Sequence, residues 1–99
     1  ARRGGGVVAI LHDLNLAAMY EVGQGAEQSH EQAGYWYEQA AQQGSGEAQL
    51  RMGNLLIQQH GMAQGHLLAV DWFAQACASG EQEGCALHEV LTSFIQRNQ

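Results

Sequence analysis

Two stretches decide how this chain is read: YWYEQAAQQG, Tyr35–Gly44, and DWFAQACASG, Asp71–Gly80. In the first, Ala33, Trp36, Tyr37 and Ala40 fall at i, i+3, i+4 and i+7; in the second, Ala69, Trp72, Phe73 and Ala76 repeat that spacing. Such spacing puts all four side chains on one face of a helix, where they are buried together. The two tryptophans lie 36 residues apart, so a period of that length becomes the hypothesis to test.

The period extends well beyond the aromatic pairs. Setting each residue against the one 36 further on pairs Leu14 with Leu50, Gly25 with Gly61, His30 with His66, Gly44 with Gly80 and Glu47 with Glu83. Upstream of each aromatic helix the pattern implies another: Ala48, Met52, Leu55 and Leu56 keep helical spacing, and Leu16, Met19 and Tyr20 hold matching places in the first unit. Glycine-bearing clusters separate the helices at Gly23–Gly25, Gln42–Gly46, His60–Gly65 and Ser79–Gly84, and each reads as a turn. Leu87, Leu91, Phe94 and Ile95 mark a last helix, with Arg97 in its final turn to complement the helix dipole.

The expected fold is therefore all-α: a short right-handed superhelical solenoid of antiparallel helix pairs, about two and a half units long. Residues 1–6 read as a disordered lead-in, 12–47 as repeat one, 48–83 as repeat two and 84–99 as a partial capping repeat, within one domain over 7–99. Solenoids of this kind usually need about three units. Three expectations follow: the chain is a piece of a longer array, it self-associates, or Val7–Leu11 adds burial of its own.

Bulk properties narrow the function. The 99 residues suit one domain, with a formal charge of -6, no lysine, and four scattered arginines, Arg2, Arg3, Arg51 and Arg97. Nucleic acid and anionic membrane both demand a basic patch to replace counterions, so neither is an expected partner. Only 14% of residues are charged, against about 25% in a typical domain, so much of the polar surface is glutamine. No apolar run approaches the roughly 18 residues needed to cross a bilayer, and Val7–Leu11 is too short for a signal-peptide core. Either the chain is cytosolic or its true N-terminus lies upstream.

Met19–Gly44, MYEVGQGAEQSHEQAGYWYEQAAQQG, resembles the Sel-one-like repeat family, relatives of the tetratricopeptide repeats. The family pattern runs Ala-x-x-x-Leu-Gly-x-x-Tyr, Gly-x-Gly, Gln-Asp-Tyr, then Ala-x-x-Trp-Tyr-x-x-Ala-Ala-x-x-Gly, and the resemblance covers about residues 12 to 92. The second unit keeps Gly53 in the glycine slot but has Leu56 in place of the tyrosine; the first has Ala17 in that slot and His12 where a small alanine is usual. Cys77 and Cys85, in ACASGEQEGC, resemble the cysteine-rich branch, whose paired cysteines form a disulfide between adjacent helices. A short loop between antiparallel helices is compatible with that bond, and two small buried thiols are the other reading. A bond implies a periplasmic or secreted protein, free thiols a cytoplasmic one.

A second resemblance competes for the start. VVAILHDLNLAA, Val7–Ala18, is similar to the switch segment of ABC-transporter ATPases, where a strand ends in a histidine that senses the γ-phosphate. That role falls on His12, yet the chain has no Gly-x-x-x-x-Gly-Lys-Ser/Thr loop and no lysine, so it lacks the rest of the machine. From Asp13 onward the same letters suit a helix, while Val7–Leu11 reads as helix or strand.

Other chemistry is weaker still. His12, His30, His60, His66 and His88 include no i, i+4 pair, so no metal site is expected. The serines lie in no nucleophile motif, the glutamates Glu27, Glu31, Glu38 and Glu47 are spaced as solvated positions, and no cofactor is called for. Trp36, Tyr37, Trp72 and Phe73 read as repeat core. What the family resemblance implies is a non-enzymatic adaptor that presents a curved helical surface to another protein or peptide. Asn15, Arg51 and Asn54, exposed on the first helices, are its expected contact residues. The cysteine-rich branch implies an alternative, the binding or slow hydrolysis of β-lactams; an inactive ABC-ATPase remnant is the remote one.

Overall fold

The computed structural model describes residues 6–98, which form four helices and no strand. They are α1 (Gly6–Val22), α2 (His30–Gln42), α3 (Gly46–Ala78) and α4 (Gln82–Arg97), each packed against the next in chain order. Most of the expected disordered lead-in lies outside the described residues; Gly6 opens α1, and Val7–Leu11 is helical throughout.

Local chemistry sets the boundaries. Ser29 caps α2, its hydroxyl accepting from the Gln32 amide at 3.1 Å, and Ser45 caps α3 by accepting from Ala48 at the same distance. Each bond satisfies one of the amides left without an intrahelical partner at a helix start. α1 ends where Gly23 takes φ 77, a left-handed conformation that glycine adopts without steric cost.

α3 is two helices in sequence, 46–60 and 62–78, joined at Gly61, whose φ 76 and ψ 163 break the helical path. The turn expected over His60–Gly65 thus contracts to one residue. In unit one the matching connection spans residues 23–29, between Gly23 and the Ser29 cap. The 36-residue offset gives the reason: Gln59 stands where Gly23 stands, and Gly65 stands where Ser29 stands. Unit two has neither the early left-handed exit nor the hydroxyl cap, so helix persists up to Gly61 and resumes at once.

α1 buries Asp13 and Ala17 rather than the expected Leu16 and Met19. On α2 and the second half of α3 the buried stripes follow the spacing, with a division of labour inside each aromatic pair. Tyr37 and Phe73 are fully buried, whereas Trp36 and Trp72 are half-buried and pack on the edge of the cluster formed by Ala17, Ala33, Tyr37, Met52 and Leu55. A second cluster, Leu50, Ala69, Phe73, Ala76 and Leu91, joins unit two to α4. Leu91 is the counterpart of Leu55, so α4 occupies the first-helix place of a third unit.

Two polar ties run through these joints. Gln43 donates from Nε2 to Asp13 Oδ2 at 2.9 Å, and Ser79 donates from Oγ to Gln49 Oε1 at 2.7 Å. Asp13 and Gln49 are equivalent by the offset, as are Gln43 and Ser79, so the same tie is built from different side chains. Gln49 also donates to the Ala41 carbonyl at 3.2 Å, linking unit two to the end of α2. One period later, Cys85 and Cys77 hold those two places and are joined by a disulfide with a Cα–Cα distance of 4.5 Å.

Candidate functional site

The first helices place Asn15 on α1, and Arg51 and Asn54 on α3, all exposed. The structure brings them together: Arg51 lines three open cavities, one shared with Asn15 and two with Asn54. The cavity toward α1, about 200 Å³, is walled by Leu11, Leu14, Ala18, Tyr37 and Glu47. The one toward α4, about 380 Å³, is walled by Glu47, Leu50, Glu81 and Glu83. A third, of about 290 Å³, is bounded by Glu21, Ile57 and Gln58 and shares Arg51 with both. A groove thus crosses three successive first helices, with Arg51 and Asn54 at its middle.

Charge along this groove is uneven. Glu21, Glu47, Glu81 and Glu83 line it against one guanidinium, Arg51, which sits 3.5 Å from Glu47. Both partners of that pair are about half exposed, and an i, i+4 surface pair contributes only about 0.3–0.5 kcal/mol. A ligand can therefore displace Glu47 from Arg51 at small cost.

Tyr37 brings the core into contact with the groove. Its ring is 1% exposed, and its hydroxyl donates to Glu21 Oε1 at 2.5 Å. Burial, then the hydrogen bond to Glu21 and that carboxylate's charge, push the phenol well above its ordinary value, while Arg51 pulls weakly the other way. The phenol stays protonated at neutral pH and holds Glu21 in place as a donor. Reading Tyr37 as core captured its ring; the donor role of its hydroxyl is an addition. Glu21, Glu81 and Glu83 also escaped sequence reading, because nothing in their spacing distinguishes groove carboxylates from solvated ones.

Other singled-out residues lie elsewhere. His66 is buried, donating to the Met62 carbonyl at 2.6 Å and meeting Phe94 edge-on at 4.8 Å between ring centres. His12 is exposed on α1, 3.4 Å from Asp13 and edge-on to Trp36. Its segment is helix, not the strand that a nucleotide switch uses. Among the described residues no group of three or more His, Cys, Asp or Glu side chains is placed to hold a metal ion, and no helix is long and apolar enough to cross a membrane. The groove offers amides, one guanidinium, carboxylates and a neutral phenol: hydrogen-bonding and charged groups for holding a partner's side chains and backbone.

A family model for the Sel1 repeat matches the chain twice, over residues 14–45 and 46–81, together about two thirds of its length. The chain belongs to the Sel1 repeat family. Sel1 repeats generally mediate protein–protein interaction. No curated protein and no solved structure matches the chain. The two matched segments meet at the Ser45–Gly46 junction, where the Ser45 cap starts α3. The groove therefore draws its walls from both Sel1 units and from α4.

Proposed function

We propose that this Sel1 protein is an adaptor whose partner lies in the groove centred on Arg51 and Asn54. The observation that carries the reading is the convergence of Asn15, Arg51 and Asn54, from two successive first helices, on cavities that all meet at Arg51. Solenoids use the extended surface formed by equivalent helices of stacked units in this way. Asn15 and Asn54 each offer a donor and an acceptor to a partner backbone, and the Arg51–Glu47 contact is a weak surface pair. The Cys77–Cys85 bond supports work in an oxidising compartment.

The test is quantitative capture from the source organism by the wild type and by an Asn15→Ala, Arg51→Ala, Asn54→Ala triple variant. All three side chains are exposed, so the variant keeps its melting temperature within about 2 °C. The proteins enriched by the wild type are lost from the variant. An identical captured set at equal stability overturns the assignment.

A further inference from the structure

The two ends of the groove differ in chemistry, and the difference specifies an occupant. Toward α1 the wall carries the groove's aliphatic side chains, Leu11, Leu14 and Ala18, with the Tyr37 ring beside them and Asn15, Glu47 and Arg51 completing the lining; Leu11 is 52% exposed. Toward α4 the wall is anionic: Glu47, Glu81 and Glu83 around the edge of Leu50. Asn15 lines the α1 cavity and Asn54 the α4 cavity, neutral amides suited to the alternating N–H and C=O groups of an extended chain. Arg51, the groove's one cation, already faces Glu47, so the anionic end keeps an excess of negative charge. An acidic occupant is disfavoured there, and so is a second copy of this chain, which carries -6 overall and has no lysine.

We infer that the groove receives an extended segment of a partner protein carrying an aliphatic side chain for the Leu11–Leu14–Ala18 end and an arginine or lysine for the Glu47–Glu81–Glu83 end. The two ends lie on α1 and α4, with the first half of α3 between them. The occupant therefore crosses the first half of α3 in an extended conformation, with several residues between its two anchors. This inference rests on the groove being the partner surface, and it adds the partner's chemical class.

The experiment uses the whole disulfide-bonded chain and a blocked synthetic peptide, Leu-Ser-Gln-Ser-Gln-Ser-Arg, with two controls: arginine replaced by glutamate, and leucine replaced by serine. Binding is followed by calorimetry and located by amide chemical shifts. The parent peptide shifts resonances around Arg51 and Asn54, and it weakens as salt rises from about 20 to about 200 mM. The glutamate control binds at least about tenfold more weakly. Glu83→Gln weakens the parent about threefold to fivefold, with Glu81→Gln, Glu83→Gln as a stronger variant. Leu11→Ser weakens the parent but not the serine control. Absence of parent binding, equal binding of the glutamate control, or indifference to Glu83→Gln overturns the inference. If the triple variant still loses its captured partner while the cationic peptide fails, the charge class falls and the groove remains the partner surface. If both fail, both readings fall.

Discussion

The two Sel1 units of this chain reach the same architecture by different local means. Unit one turns through residues 23–29 and starts α2 on the Ser29 hydroxyl; unit two turns at Gly61 alone. Unit one sets Tyr37 against Ala17, whereas unit two sets Phe73 against Gly53. The joint after unit one is hydrogen-bonded, Gln49 to Ala41, and the joint after unit two is covalent, Cys85 to Cys77. Unit one is thus ordered by side-chain hydrogen bonds, and unit two by close backbone approach and a cross-link. Substitutions at equivalent positions should therefore have unequal effects.

The largest inequality is expected at Gly65 and Ser29. A Cβ at Gly65 sits 2.7 Å from the Ile57 Cα and 2.9 Å from the Leu56 carbonyl, and backbone cannot move aside as a side-chain tip can. Gly65→Ala should cost about 3 kcal/mol, at the upper end of overpacking effects. Ser29→Ala removes one capping bond on an exposed loop and should cost about 1 kcal/mol. Urea unfolding of both variants checks the ratio; equal losses would mean that the tight turn is not what holds unit two.

Gly53 and Ala17 give a second inequality. A Cβ at Gly53 meets the Phe73 ring at 2.5 Å, so Gly53→Ala must displace a fully buried ring and should cost about 2–3 kcal/mol. Ala17→Gly adds no clash and should cost about 1 kcal/mol, the difference in helix propensity. Reduction of Cys77–Cys85 comes next at about 2 kcal/mol, since the closed loop is short. Thermal unfolding with and without reductant measures it, and intact mass before and after alkylation confirms the thiol state. A Cys77→Ala, Cys85→Ala variant as stable as the oxidised wild type would show that packing alone holds the second joint.

Much of the fold was legible because the repeat is written in identities. Ala33 with Ala69, Trp36 with Trp72 and Ala40 with Ala76 locate the second helices and their buried face, and the 36-residue offset locates the rest. What escaped is written in non-identities. Asp13 against Gln49 and Gln43 against Ser79 share no letters, so the paired polar ties became visible only as hydrogen bonds. The expected turn over His60–Gly65 is a single residue because its glycines do different jobs: Gly61 breaks the helix and Gly65 admits the neighbouring backbone. Asn15, Arg51 and Asn54 were legible as the outward positions of buried stripes. The carboxylates around them were not, because Glu21 and Glu83 reach the groove through packing between helices rather than through spacing within one.

Tyr37→Phe offers the smallest and most selective test, since it gives unit one the aromatic residue that unit two already has. The ring stays buried, and only the donor to Glu21 is lost. Because Glu21 is half-buried and reaches water, the cost at neutral pH should stay below about 1 kcal/mol. At high pH the sign reverses. The folded protein holds the Tyr37 proton more tightly than the unfolded chain, whose tyrosine ionises near its ordinary value of 10.0. The stability tied to that proton is fully present below about pH 10. It declines above that value by up to about 1.4 kcal/mol per pH unit, because the unfolded state then binds fewer protons. The wild type should therefore lose its small advantage and fall below Tyr37→Phe as pH rises from about 10 to about 12. Parallel stability curves for the two proteins over that range would show that the Tyr37 hydroxyl faces water rather than the groove carboxylate.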